Sequence, residues 1–162
     1  MINKEIIIIP GAPKSGSTTL YKMLAKHSKI SSSKIKEPKF FLLPEKLIKE
    51  NTNWYLEHFT DKNKILLDAS TNYFYNNKTA SLIKKYVKNP KIIFIIRDPA
   101  KRTHSHYLNM LKRTPKGETR DFDRILSEVK GPEPAKIRRT EDQSTRKAVK
   151  NKEVSYDFLD YR

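Results

Sequence analysis

A chain of 162 residues, 36% of them apolar and only four of them glycine, is long enough for one globular domain with a sizeable core and is not a low-complexity polymer. It contains no cysteine, which excludes disulfides, thiolate catalysis and cysteine-ligated metals. Its net charge is +16, no apolar run approaches the ~18 residues that cross a bilayer, and the opening Met1–Gly11 stretch is too brief for a secretory leader, so a cytoplasmic chain without a membrane span is expected.

Strands and helices alternate along the sequence. Glu5–Ile9 is a short continuous apolar run ending at Pro10-Gly11, the pattern of a strand buried on both faces. Ser17–His27 places Leu20, Met23 and Leu24 at helical spacing. Lys34–Lys36 is read as a short second strand before Pro38. Glu45–Phe59 carries Leu47, Ile48, Trp54, Tyr55 and Phe59 as a helix, with Asn51-Thr52-Asn53 weakening its middle. Lys64–Ala69 is another buried-strand run, and Asn77–Val87 a helix with Leu82, Ile83, Tyr86 and Val87 inward. Lys91–Ile96 gives the strongest strand signal, and Pro99–Lys112 follows as a helix with proline in its first turn. Beyond Thr114 the pattern weakens: a loop over 114–120, a short helix at Phe122–Val129, then a mostly polar stretch over 131–152. The alternation predicts an α/β fold, a P-loop-like parallel sheet with helices on both faces and ligands at the carboxyl ends of its strands. One domain over 1–162 is expected, with its motif-bearing core at 5–113.

The chemistry-bearing segments fall at those strand ends. Pro10-Gly-Ala-Pro-Lys14-Ser15-Gly16-Ser17-Thr18-Thr19-Leu20 joins the first strand to the first helix, where backbone N–H groups and a positive helix end can face a phosphate-like anion. Gly11 and Gly16 have Walker A spacing, but Ser17 stands where that loop needs lysine, and the lysine lies upstream at Lys14. Arg97 ends the strongest strand, placed for a bidentate phosphate contact, with Ser105 eight residues on. Residues 1–115 hold 22 basic and 8 acidic residues, whereas 116–162 hold 12 and 10. The excess thus accompanies the motifs, consistent with attraction of an anionic ligand or with a lysine-rich solvated surface.

Lys14-Ser-Gly-Ser-Thr-Thr-Leu20 resembles the 5′-phosphosulfate loop of sulfotransferases that use 3′-phosphoadenosine 5′-phosphosulfate (PAPS). Arg97-Asp-Pro-Ala-Lys-Arg102-Thr-His-Ser105-His-Tyr107 resembles the family's R-D/N-P-x-x-R-x-x-S-x-Y segment, and Lys36-Glu37-Pro38-Lys39-Phe40-Phe41 resembles the K-E-P-x-F-F segment of heparan-sulfate-type and bacterial members. The resemblance covers about residues 5–110. It implies that Lys14, Ser15, Gly16, Ser17, Thr18 and Thr19 hold the phosphosulfate, with Lys14 also stabilising the leaving oxygen. It implies that Arg97 and Ser105 bind the 3′-phosphate, and that Glu37 is the general base. The expected reaction is sulfuryl transfer, without a metal, from an anionic nucleotide donor to a hydroxyl or amine, with a glycan as one acceptor. Family members continue with further helices, so the chain is expected to be C-terminally truncated, with weak donor binding and uncertain turnover. Asp68-Ala-Ser-Thr-Asn-Tyr-Phe74 occupies the place of an acceptor-binding E-K-x-P-x-Y-F segment, with the lysine replaced by Ala69 and the proline by Asn72. Asp68 itself is read as a polar strand-end residue facing the cleft. His104 and His106 flank Ser105, lining the donor site or facing solvent, and no histidine pair has metal-binding spacing. The rival readings are a P-loop nucleotide kinase or NTPase and a basic nucleic-acid-binding module, the latter without a recognisable nucleic-acid motif.

Overall fold

The computed structural model describes residues 1–113 together with Asp121 and Phe122. The loop expected over 114–120, all but the first residue of the helix expected at 122–129, and the polar stretch over 131–152 lie outside them. Met1–Asn109 forms one compact unit.

Everything is built around β1 (Ile6–Gly11). Ile6, Ile8 and Ile9 are fully buried and Ile7 nearly so. Strand side chains alternate between faces, so this run serves two cores at once. Ile6 and Ile8 join Leu66, Phe40, Phe41, Ile48, Tyr55 and Ile83 on one face, whereas Ile7 and Ile9 join Leu67 and Ala69 on the other. Each fully buried isoleucine is worth about 1.5–3 kcal/mol relative to exposure.

The sheet is four-stranded and parallel, in the order β2-β3-β1-β4. Besides β1 it contains β2 (Ile30–Ser32), β3 (Ile65–Asp68) and β4 (Lys91–Phe94). Helix α1 (Ser17–Leu24) covers the Ile7/Ile9 face through Leu20, Tyr21 and Leu24. Helices α2 (Glu45–Glu50), α3 (Thr52–Glu57) and α4 (Thr79–Tyr86) carry Ile48, Tyr55 and Ile83 to the opposite face. The expected α/β architecture with helices on both faces is therefore the observed one. Helix α5 (Pro99–Arg113) follows β4, and Asp98 caps its start by accepting the Lys101 amide hydrogen at 2.8 Å.

Several elements differ from the sequence reading. The second strand is Ile30–Ser32, not Lys34–Lys36: its backbone pairs with Ile65–Leu67 of β3, while its buried Ser31 bonds Thr60 and the Asp61 amide. The helix expected over 45–59 is two helices, broken at Asn51 (φ −110°), whose backbone and side-chain amides both donate to the Leu47 carbonyl at 2.9 Å. Met23, which shares the helical spacing of Leu20 and Leu24, is 65% exposed. β4 stops at Phe94, and as the end strand of the four it leaves Ile92 and Phe94 exposed.

Gly11 ends β1 with φ +155°, and a Cβ there would lie 2.8 Å from Phe74 Cβ. Phe74 thus seats directly on the backbone where β1 turns into the loop. A Gly11→Ala substitution is expected to lower stability by about 1–3 kcal/mol through this clash and the backbone strain, measured as a reduced urea midpoint with an unchanged slope.

Candidate functional site

The carboxyl ends of β1 and β4 are joined beyond the regular strands. The Ala12 amide donates to the Ile95 carbonyl at 2.9 Å and the Ile95 amide to the Gly11 carbonyl at 3.0 Å. This pairing sets Arg97, two residues further on, beside the loop. Its guanidinium donates through Nη1 to the carbonyl oxygen of Lys14 at 3.1 Å, across 83 residues of sequence. Two segments read separately as anion-binding are thereby one place. Asp98, a possible salt-bridge partner for Arg97 in the sequence, is engaged in capping α5 instead.

Within the loop Lys14 adopts φ +65° and Gly16 φ +103°. The first conformation is uncommon for a residue with a side chain and belongs to tight anion-binding turns. Gly16 then occupies the cap position of α1, where no side chain caps the first turn. The amides and positive end of α1 are thus left for an anion. Ser17 opens the helix and is buried, while Thr18 and Thr19 are exposed. The Ser15 hydroxyl oxygen is buried with no hydrogen-bond partner among the described residues. The Lys14 ammonium reaches Asn109 Oδ1 on α5 at 3.2 Å.

Ser105 lies on α5 and is half-buried. His106 beside it is held below the ordinary histidine range, first by desolvation and then by the positive charges of Arg102 and Lys14. His106 thus feels both cations, and Lys14 in turn presents its carbonyl to Arg97.

Glu37 stands on a separate loop, after β2. Its Oε1 accepts hydrogen bonds from Lys36 Nζ at 2.6 Å and from the buried Thr71 hydroxyl at 3.2 Å. Asp68, expected to face the cleft, is instead fully buried. Its Oδ1 accepts from the Ser70 amide and hydroxyl at 3.0 and 2.7 Å, and its Oδ2 from the hydroxyls of Tyr55 and Tyr73, both at 2.9 Å. Burial pushes the Asp68 carboxyl upward, opposed by these four hydrogen bonds. Sequence reading missed Asn109, which stands outside the motifs, and gave no role to Thr71, although it lies in the Asp68–Phe74 segment; each meets its partner only through the fold. Among the described residues no three histidine, aspartate or glutamate side chains gather as metal ligands, and no helix is long and apolar enough to cross a membrane.

The chain is thus of the parallel α/β class, with a lysine-bearing strand-to-helix loop beside an arginine at the neighbouring strand end. More particularly, residues 4–151 match the sulfotransferase domain family, and the chain belongs to that family. It is 33% identical over 114 residues to the membrane-associated sulfotransferase kil1 of Dictyostelium discoideum, covering 65% of this chain and 24% of that protein. It is 30% identical over 108 residues to the human bifunctional heparan sulfate N-deacetylase/N-sulfotransferase 3, covering 62% and 12%. With the mouse heparan sulfate glucosamine 3-O-sulfotransferase 3B1 it shares 28% identity over 110 residues, covering 67% and 27%. The chain thus spans about a quarter or less of these relatives' length. Among solved structures, the sulfotransferase from Alicyclobacillus acidocaldarius has the same fold, with a TM-score of 0.65 at 22% identity over 79% of this chain and 57% of that one.

Each positive neighbour disfavours the imidazolium of His106. Replacing Lys14 or Arg102 by alanine is therefore expected to raise the His106 pKa, observed as an upward shift of its proton titration followed by NMR.

Proposed function

We propose that this chain binds PAPS and transfers its sulfuryl group to a hydroxyl or amine acceptor. The observation that carries this reading is the hydrogen bond from Arg97 to the Lys14 carbonyl, which unites the two donor-binding segments in one cationic site. The unpartnered Ser15 hydroxyl and the uncapped first turn of α1 fit a phosphosulfate group. The rival nucleotide-kinase reading requires a lysine at position 17, which is a buried serine. The basic-module reading gains no support from the structure's hydrogen bonds or from the relatives.

In this reading PAPS supplies an activated sulfuryl group, and the protein supplies position and charge. The sulfur–oxygen bond to the 5′-phosphate breaks as sulfur bonds to the acceptor oxygen or nitrogen. Glu37 takes the acceptor's proton. The Lys14 ammonium, leaving Asn109, stabilises the negative charge that develops on the departing phosphate oxygen. Arg97 and Ser105 hold the 3′-phosphate and fix the donor's register, while Gly16 and the hydroxyls of Ser15, Ser17, Thr18 and Thr19 line the 5′ side. The relatives named for heparan sulfate make a glycan the first acceptor class to test. The exchange of lysine and proline for Ala69 and Asn72 in the segment after β3 means that acceptor contacts differ from theirs in detail.

Two measurements test the assignment. Adenosine 3′,5′-bisphosphate is expected to bind saturably in calorimetric titration, with affinity falling by roughly 10-fold or more in Arg97→Ala, the loss of one charge-assisted contact. A folded chain with no binding would overturn the donor site. Glu37→Gln is expected to leave that binding unchanged while reducing sulfuryl transfer to N-desulfated heparan by about 10²–10⁴-fold; turnover equal to the parent chain would remove Glu37 as the base.

A further inference from the structure

A general base must be held within about half an ångström of its working position, yet Glu37 sits on a loop, five residues past the end of β2. What restrains this loop comes from elsewhere in the chain. The Lys39 amide donates to Ser70 Oγ at 2.9 Å, and the Phe41 amide donates to the Tyr73 hydroxyl at 3.2 Å. Both hydroxyls in turn donate to Asp68, Ser70 at 2.7 Å and Tyr73 at 2.9 Å.

A hydroxyl has one hydrogen, so its direction is set by the partner that must receive it. All four groups around Asp68 donate to it, so its carboxyl oxygens only accept. Each hydroxyl gives it the hydrogen and is left to present lone pairs to an amide of the Glu37 loop. A single buried carboxylate thus sets the polarity of two relays that end on that loop, two residues apart. Thr71, adjoining Ser70 and itself buried, completes the arrangement by donating its hydroxyl to Glu37 at 3.2 Å. Asp68 reaches solvent nowhere, and so touches neither donor nor acceptor.

We propose that Asp68 is a positioning residue for the transfer reaction: through Ser70 and Tyr73 it fixes the loop that carries Glu37, whose carboxylate is held by Thr71, the neighbour of Ser70. The proposal rests on Glu37 being the base, but its physical content is separate from turnover. Replacing Asp68 by asparagine would put a donor where only acceptors serve, forcing at least one hydroxyl to reverse and abandon its amide.

The test is NMR on the full 162-residue chain, with amide hydrogen exchange and the Glu37 side-chain carboxyl resonance as readouts. Tyr73→Phe is expected to speed exchange of the Phe41 amide on the order of 10-fold, and Ser70→Ala that of the Lys39 amide, while the amides of Ile8 and Leu66 keep their rates. Thr71→Val is expected to displace the Glu37 carboxyl resonance and Thr71→Ser to restore it, a rescue that loss of packing alone would not give. Asp68→Asn is expected to speed both amides together and move the Glu37 resonance. The single-hydroxyl variants keep the proposal open to refutation if Asp68→Asn does not fold. Unchanged exchange of Phe41 in Tyr73→Phe and of Lys39 in Ser70→Ala would overturn it, as would a Glu37 resonance indifferent to Thr71→Val. Because none of these readouts uses turnover, failure here is distinct from failure of Glu37→Gln to slow transfer.

Discussion

The structure of residues 1–109 depends on one strand having no solvent face. β1 contributes Ile6 and Ile8 to one core and Ile7 and Ile9 to the other, so it tolerates a polar side chain on neither side. Its two neighbours pair with it in parallel, and parallel pairing requires each connection to cross over the sheet. The helices that cover both faces are a consequence of that requirement. So is the concentration of loops at the carboxyl end, where Gly11 opens the lysine loop, Asp68 ends β3 and Arg97 follows β4.

The four strand ends divide the work. β1 and β4 are extended past their regular limits by the Ala12–Ile95 and Ile95–Gly11 hydrogen bonds, and they carry the cations proposed to bind the donor. β2 and β3 lead to Glu37 and to the buried carboxylate that restrains its loop. The half proposed to bind the donor is electrostatic and half-exposed, whereas the other half is organised from inside by directional hydrogen bonds. Aromatic packing stiffens the latter further: Phe40 stacks on Tyr55 with ring centroids 4.4 Å apart, and Tyr55 is itself a donor to Asp68. The Phe40-Phe41 pair that follows Glu37 in the sequence is therefore an anchor for the loop, fully buried in the core.

The alternation of strands and helices was legible because it rests on local apolar runs, and Glu5–Ile9, Lys64–Ala69 and Lys91–Ile96 all correspond to strands within a residue or two. β2 was misplaced for a physical reason. Ile30-Ser31-Ser32 has a single apolar residue, and its extended conformation is enforced by β3, a partner more than thirty residues away. The lysine loop, the Arg97 segment and the Glu37 segment could each be read because each holds its pattern within a few consecutive residues. Their mutual placement could not. Lys14 meets Asn109 across 95 residues and Glu37 meets Thr71 across 34, and no spacing in the sequence announces either pair. Asp68 shows the limit most clearly: an aspartate at a strand end resembles a cleft residue until the four donors that surround it are seen.

Gly11 and Phe74 impose an order on how this chain can change over generations. Phe74 is 53% exposed, and its ring can be exchanged for a smaller side chain without straining any backbone, although the Cβ that faces Gly11 remains. The reverse step has no such freedom, because φ +155° at position 11 disfavours a side chain even after the ring has gone. Position 74 can therefore drift while position 11 stays fixed. A lineage that lost the phenylalanine would still inherit the glycine, and the entrance to the lysine loop would outlast the aromatic ring that now lies against it.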